Sequence, residues 1–157
     1  MTQENTSGDK LAEAEKIVRS HMLVSVASGV LPIPLLDIGI LGGVQLRMVR
    51  KLADHYKIEF SEQRANALIG SLAGISFAMA AGSFAKNILG VGRLLLGISG
   101  LALPAASTYA IGQVFIKHLE SGGTFLNIDA SKAKADYDEA LESGKRVVQQ
   151  NFVGVRP

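Results

Sequence analysis

The chain has 157 residues, enough for one domain with its own core and too few for a second catalytic domain. Cysteine is absent, which excludes disulfides, thiolate nucleophiles and thiolate-ligated metal. Lys and Arg total 16 against 14 acidic residues, for a net charge of +2. With no Trp, and with Asp54, Glu59 and Glu62 among the basic residues, the stacking groups and continuous basic stripe of a nucleic-acid binder are missing.

Residues 1–8 read as a disordered lead, and the mixed-charge Met1–Lys16 lacks the basic-then-apolar order of a signal peptide. Asp9 is placed to cap a helix running to about Ser28, with Leu11, Ala14, Ile17, Val18 and Met22 at helical spacing. The string Gly29-Val-Leu-Pro-Ile-Pro34 stops it, because Pro32 and Pro34 lack the N–H donor and push the residues before them to extended backbone. Pro34 suits the first turn of a second helix carrying Leu35, Ile38, Leu41, Gln45, Met48, Leu52 and Tyr56, ending near Lys57.

No acidic residue occurs between Glu62 and Glu120, and two uncharged apolar stretches, Ala67–Ala85 and Leu94–Ile116, flank a Lys86/Arg93 connection. Each reaches the roughly 18 apolar residues at which a membrane helix becomes the default expectation, though Gly, Ala and Ser dilute both. The third helix, capped by Ser61, is expected to run to about Lys86. The fourth runs from about Val91, through Pro104 as a kink, to Gly122-Gly123. Gly70, Gly74 and Gly82, then Gly97 and Gly100, stand at spacings that bring helix backbones close. After an extended Thr124–Ile128, Asp129 caps a last amphipathic helix whose apolar stripe is Ala133, Tyr137, Ala140/Leu141, Gly144 and Val148.

Asp37 is the only acid in the otherwise uncharged Met22–Leu46. A lone carboxylate in such surroundings needs partners, so Asp37, with Pro32 and Pro34, marks either a helix cap or interhelical pin, or an ion pathway at a broken helix. Arg47, Arg50, Lys51, Lys57 and Arg64, with Lys86 and Arg93, are candidate contacts to lipid headgroups. No catalytic or cofactor-binding set emerges. Gly90-Val-Gly92 lacks a third glycine, Gly144-Lys145 precedes Arg rather than Ser or Thr, and no Ser lies in Gly-x-Ser-x-Gly. His21, His55 and His118 lack metal-ligand spacing, so satisfied or solvent-facing rings are expected. Asp136, Asp138, Glu139 and Glu142 precede Lys145 and Arg146 and read as a solvated, ion-paired face, with docking of a basic partner as the competing reading.

The string Pro32-Ile-Pro-Leu-Leu-Asp37, followed by Gln45-Leu-Arg-Met48, Leu52-Ala53 and Tyr56, resembles a bacterial domain family of unknown function. That domain occurs in YcjF-type inner-membrane proteins and at the C-terminus of some Era-like GTPases. The resemblance covers roughly Ile17 to Leu119 and implies membrane association and partnership with a GTPase. The chain carries no GTPase module of its own, so nucleotide binding is not implied.

The expected fold is all-α, with about five helices: a Pro-broken pair, a Gly/Ala-rich apolar hairpin and a soluble C-terminal helix. Residues 9–123 form the membrane-associated unit and 124–157 the amphipathic helix and tail. The expected function is a non-enzymatic, self-assembling scaffold or membrane-remodelling adaptor at the bacterial inner membrane, its polar parts cytoplasmic. Anionic lipid, further copies of the chain and a GTPase are its expected partners. A channel or small transporter using Asp37, and a soluble cytoplasmic oligomer burying the apolar hairpin, are the competing readings.

Overall fold

The computed structural model describes the backbone of residues 2–28, 34–87 and 96–153, and the side chains of 7–26, 39–74 and 102–151. In chain order the helices are α1 (Thr2–Ser28), α2 (Pro34–Tyr56), α3 (Glu62–Asn87), α4 (Leu96–Glu120) and α5 (Ala130–Val148), followed by a π-helical turn, Gln149–Val153. No strand occurs among the described residues, in line with the all-α expectation. α1 begins at Thr2, so most of the stretch expected to be a disordered lead belongs to its first turns.

α4 is the central element and packs against the other four helices. Its described part is buried on several faces, through Ala105, Ala106, Ala110, Ile111, Val114, Phe115 and Leu119. Around it α2 contributes Met48, Val49 and Leu52, α3 Ala65, Ile69 and Leu72, and α5 Tyr137 and Leu141, all in one cluster. α5 is therefore part of the same core rather than a separate C-terminal unit. Two helical glycines allow close approach between helices. A Cβ on Gly112 would meet Val18 at 2.5 Å, and one on Gly144 would stand 2.9 Å from the Ala106 carbonyl oxygen.

Local chemistry sets the helix ends. α2 stops with Lys57 at φ 59°, its N–H donating to the Asp54 carbonyl at 3.1 Å and that of Ile58 to the Ala53 carbonyl at 2.9 Å. α4 stops the same way at Gly122, φ 80°, with Gly122 N–H bonding the Leu119 carbonyl and Gly123 N–H the His118 carbonyl. Asp129 caps α5, its carboxylate accepting from the N–H groups of Ser131 and Lys132 at 2.9 and 3.0 Å. Pro104 lies inside α4, which runs on through it.

The expected extended segment before α5 is instead a compact turn. Asn127 accepts the Thr124 N–H at 2.7 Å, and the turn drives Phe125 into the core against Phe60 and Phe115 at centroid distances of 5.5 and 5.6 Å. At the same end the Tyr56 hydroxyl is buried near the Glu120 carboxylate. Burial, reinforced by the nearby Glu120 carboxylate, pushes its pKa up to about 12.

Among the described residues, no helix is long and apolar enough to cross a membrane. The spanning form of the expected hairpin is therefore not shown.

Candidate functional site

α1 and α2 are joined by only five residues and lie against each other as neighbours. On α2 the buried positions Leu41, Gln45, Met48, Leu52 and Tyr56 form one stripe, and Val44, Arg47 and Lys51 run along its flank. On α1, Ser20, His21 and Val24 face that flank. The six side chains enclose an open groove of about 330 Å³.

Arg47 and Lys51 sit one helical turn apart and are exposed, and neither has a carboxylate partner among the described residues. His21 is buried at the groove wall, its Nδ1 2.7 Å from the Ile17 carbonyl oxygen. A carbonyl only accepts, so Nδ1 carries the proton and Nε2 is left as an acceptor in the neutral ring. Burial holds His21 below the usual histidine pKa. The Ile17 bond works against that shift, and the charges of Lys51 and Arg47 add to it.

Beneath the groove, a polar network crosses the core. Ser25 donates to the His21 carbonyl at 2.9 Å and shares a 2.7 Å bond with Thr108 of α4. Gln45 Nε2 donates to Ser107 and Thr108 at 3.3 and 3.4 Å, and Ser107 meets the Tyr137 hydroxyl of α5 at 3.0 Å. All five side chains are essentially inaccessible to solvent. Four helices are thereby pinned in register by groups that would be costly to bury unpaired.

The basic residues grouped by their sequence spacing separate in space. Arg50 pairs with Glu62 at 3.1 Å and lies over the Phe60 ring, Arg64 reaches the Phe125 carbonyl oxygen, and Lys57 occupies the left-handed helix stop. Only Arg47 and Lys51 share the groove. Lys86 lies on α3, with its side chain outside the described residues, as Arg93 is entirely.

Pro34 begins α2, and Pro32 lies outside the described residues. Asp37 falls on α2 with its side chain outside them, as do Gly82, Gly97 and Gly100 on α3 and α4. Gly70 and Gly74 are exposed, and a Cβ on either would meet nothing within 4 Å among the described residues. Gly112 and Gly144, by contrast, face Val18 and Ala106 of neighbouring helices.

All three histidines bond backbone carbonyls: His21 to Ile17, His55 to Lys10 and His118 to Thr124. On α5 and beside it the charges pair as Lys117–Asp136, Lys134–Asp138 and Lys145–Glu142, the solvated-face arrangement. The buried network was visible in sequence only as Gln45 and scattered hydroxyls. Gln45 falls in the apolar stripe of α2, where an amide must find partners, and that is the one signal of it.

Comparison with known proteins places residues 2–146 under the model of a domain of unknown function, DUF697. The chain is 39% identical over 137 residues to magnetosome membrane protein 22 of Magnetospirillum gryphiswaldense, covering 84% of this chain and 70% of that protein. No solved structure matches it.

Proposed function

The chain belongs to the DUF697 family, and from that premise we propose that it is a non-enzymatic, membrane-associated scaffold that self-assembles at the bacterial inner membrane. The observation that carries this reading is its 39% identity to a magnetosome membrane protein across most of its length. The acid-free interval from Glu62 to Glu120 supports it, since the Ala67–Ala85 and Leu94–Ile116 stretches can enter lipid without desolvating a carboxylate. In this reading the C-terminal half of α3 and the first turns of α4 enter the bilayer as part of an assembly, while the core that α4 builds with α5 from Ala106 onward stays at the surface. The exposed Gly70/Gly74 face of α3 is where a second copy approaches, and the partner it serves is a separate GTPase.

Fractionation tests the membrane reading. The protein is expected in the membrane pellet and is expected to stay there through high salt and alkaline carbonate. Recovery in the supernatant after either wash, as a discrete assembly needing no detergent, would favour an oligomer that buries its own hairpin. The GTPase partnership is tested separately, by capture of the tagged chain with a candidate GTPase in its nucleotide-bound states. Equal recovery of an unrelated GTPase would remove it.

A further inference from the structure

The groove between α1 and α2 is graded along its length. Ile40, Val44, Arg47 and Lys51 follow one another on the same side of α2, and Val24 and His21 stand opposite on α1. Among the described residues the end nearer the α1–α2 connection is apolar and open, with Val24 and Ile40 at 54% and 43% exposure and Leu23, beside Val24 on α1, at 52%. The far end is cationic, with Arg47 and Lys51 free of carboxylate partners among the described residues. At 1.5 Å per residue, Ile40 stands about 10 Å from Arg47 along the axis, the depth scale over which a bilayer passes from acyl chain to phosphate.

Arg50 and Arg64 are occupied by Glu62 and the Phe125 carbonyl oxygen, whereas Arg47 and Lys51, without an ion pair among the described residues, line this groove beside exposed Val24. A phosphate there would take two-point contact from a guanidinium and an ammonium on one helix face, with the lipid's glycerol and chains running toward Val24 and Ile40. We propose that the α1–α2 groove binds the phosphate of an anionic phospholipid, held by Arg47 and Lys51, with Leu23, Val24 and Ile40 against the acyl boundary. This rests on the membrane-associated reading and names the lipid class and the residues that recognise it.

Co-flotation of the purified full chain with vesicles tests it, using phosphatidylcholine alone and phosphatidylcholine mixed with phosphatidylglycerol. The double variant Arg47→Gln/Lys51→Gln removes the two charges from exposed positions without known partners, so its fold is expected to be intact by circular dichroism. Lys16→Gln/Lys132→Gln removes the same charge elsewhere. Binding to the mixed vesicles is expected to weaken about thirtyfold in the groove variant and far less in the control. The swapped variant Arg47→Lys/Lys51→Arg is expected to restore most of it.

Equal weakening in both variants would mean diffuse charge attraction and overturn the site. So would release of the wild-type chain by millimolar inorganic phosphate at constant ionic strength, which would mark a site for soluble phosphate. Tight, charge-independent binding to phosphatidylcholine would overturn the groove while leaving the membrane reading intact. Absence from every vesicle would remove both.

Discussion

Ser25 on α1 and Thr108 on α4 stand 83 positions apart in the chain and share a 2.7 Å hydrogen bond in the solvent-free core. Ser25 also donates to the His21 carbonyl, so Thr108 supplies the proton between the two hydroxyls and accepts, in turn, from Gln45. Thr108→Val is expected to destabilise the fold by about 1–3 kcal/mol, because it removes the bond to Ser25 and one of the two hydroxyl acceptors of the Gln45 amide, leaving Ser107 as the other. A double-mutant cycle with Ser25→Ala, read by urea unfolding, should give a coupling of about 1 kcal/mol. Strict additivity would mean the two hydroxyls do not act together.

Lys57 holds the left-handed conformation that glycine adopts without penalty, at φ 59°. Its side chain is exposed, so Lys57→Gly removes backbone strain without losing packing. The variant is expected to be more stable by about 0.5–1 kcal/mol, after the extra entropy of glycine in the unfolded chain is set against the relief. A lower thermal midpoint would show that the lysine side chain contributes something not visible in its contacts.

Glycines of similar sequence context carry opposite expectations. At Gly144 an added methyl meets the Ala106 backbone, which cannot rotate away, so Gly144→Ala should cost about 1–3 kcal/mol as α5 is forced off α4. At Gly70 it meets nothing, and Gly70→Ala should gain about 0.5–1 kcal/mol from helix propensity alone. Gly70→Leu separates fold from assembly. It should leave the monomer folded by circular dichroism and lower the oligomer mass by analytical ultracentrifugation, and an unchanged mass would take the α3 face out of the assembly.

His21 makes stability depend on pH. Burial, with Lys51 and Arg47 nearby, holds its folded-state pKa below the ordinary value, so as pH falls the unfolded chain takes up a proton that the folded chain refuses. Its contribution is therefore complete above the ordinary histidine range and is lost as pH falls through the lowered folded value. Urea midpoints measured at about pH 7.5 and about pH 5.5 should fall between the two, and less so in His21→Gln. An identical drop in the variant would assign the acid sensitivity to other groups.

Much of the fold was legible wherever the determining chemistry is local. Asp129 as the cap of α5, Gly122 as the stop of α4, Pro34 as the start of α2 and the Ala133–Val148 stripe all follow from a few neighbouring residues. What spacing could not reveal is which flank of a helix a charge occupies. Arg47, Arg50 and Lys51 are neighbours in sequence, yet Arg50 turns to Glu62 on α3 while the other two line the α1 groove.

The choice between Gly70 and Gly112 as a packing glycine was equally hidden, because it depends on whether Val18 of another helix stands opposite. Phe125 reads as part of an extended linker until Phe60 and Phe115, from remote segments, close around it.

The most direct test of membrane entry uses the absence of native cysteine, which lets single positions carry an environment-sensitive fluorophore. Ala81→Cys, within the acid-free interval, and Asp138→Cys, on the charged face of α5, are labelled separately and mixed with vesicles of bacterial lipid. Emission from position 81 should shift to the blue and resist aqueous quenchers, while that from position 138 stays unchanged. If position 81 remains as accessible as position 138 on vesicles that carry the protein, the Ala67–Ala85 stretch does not enter the bilayer.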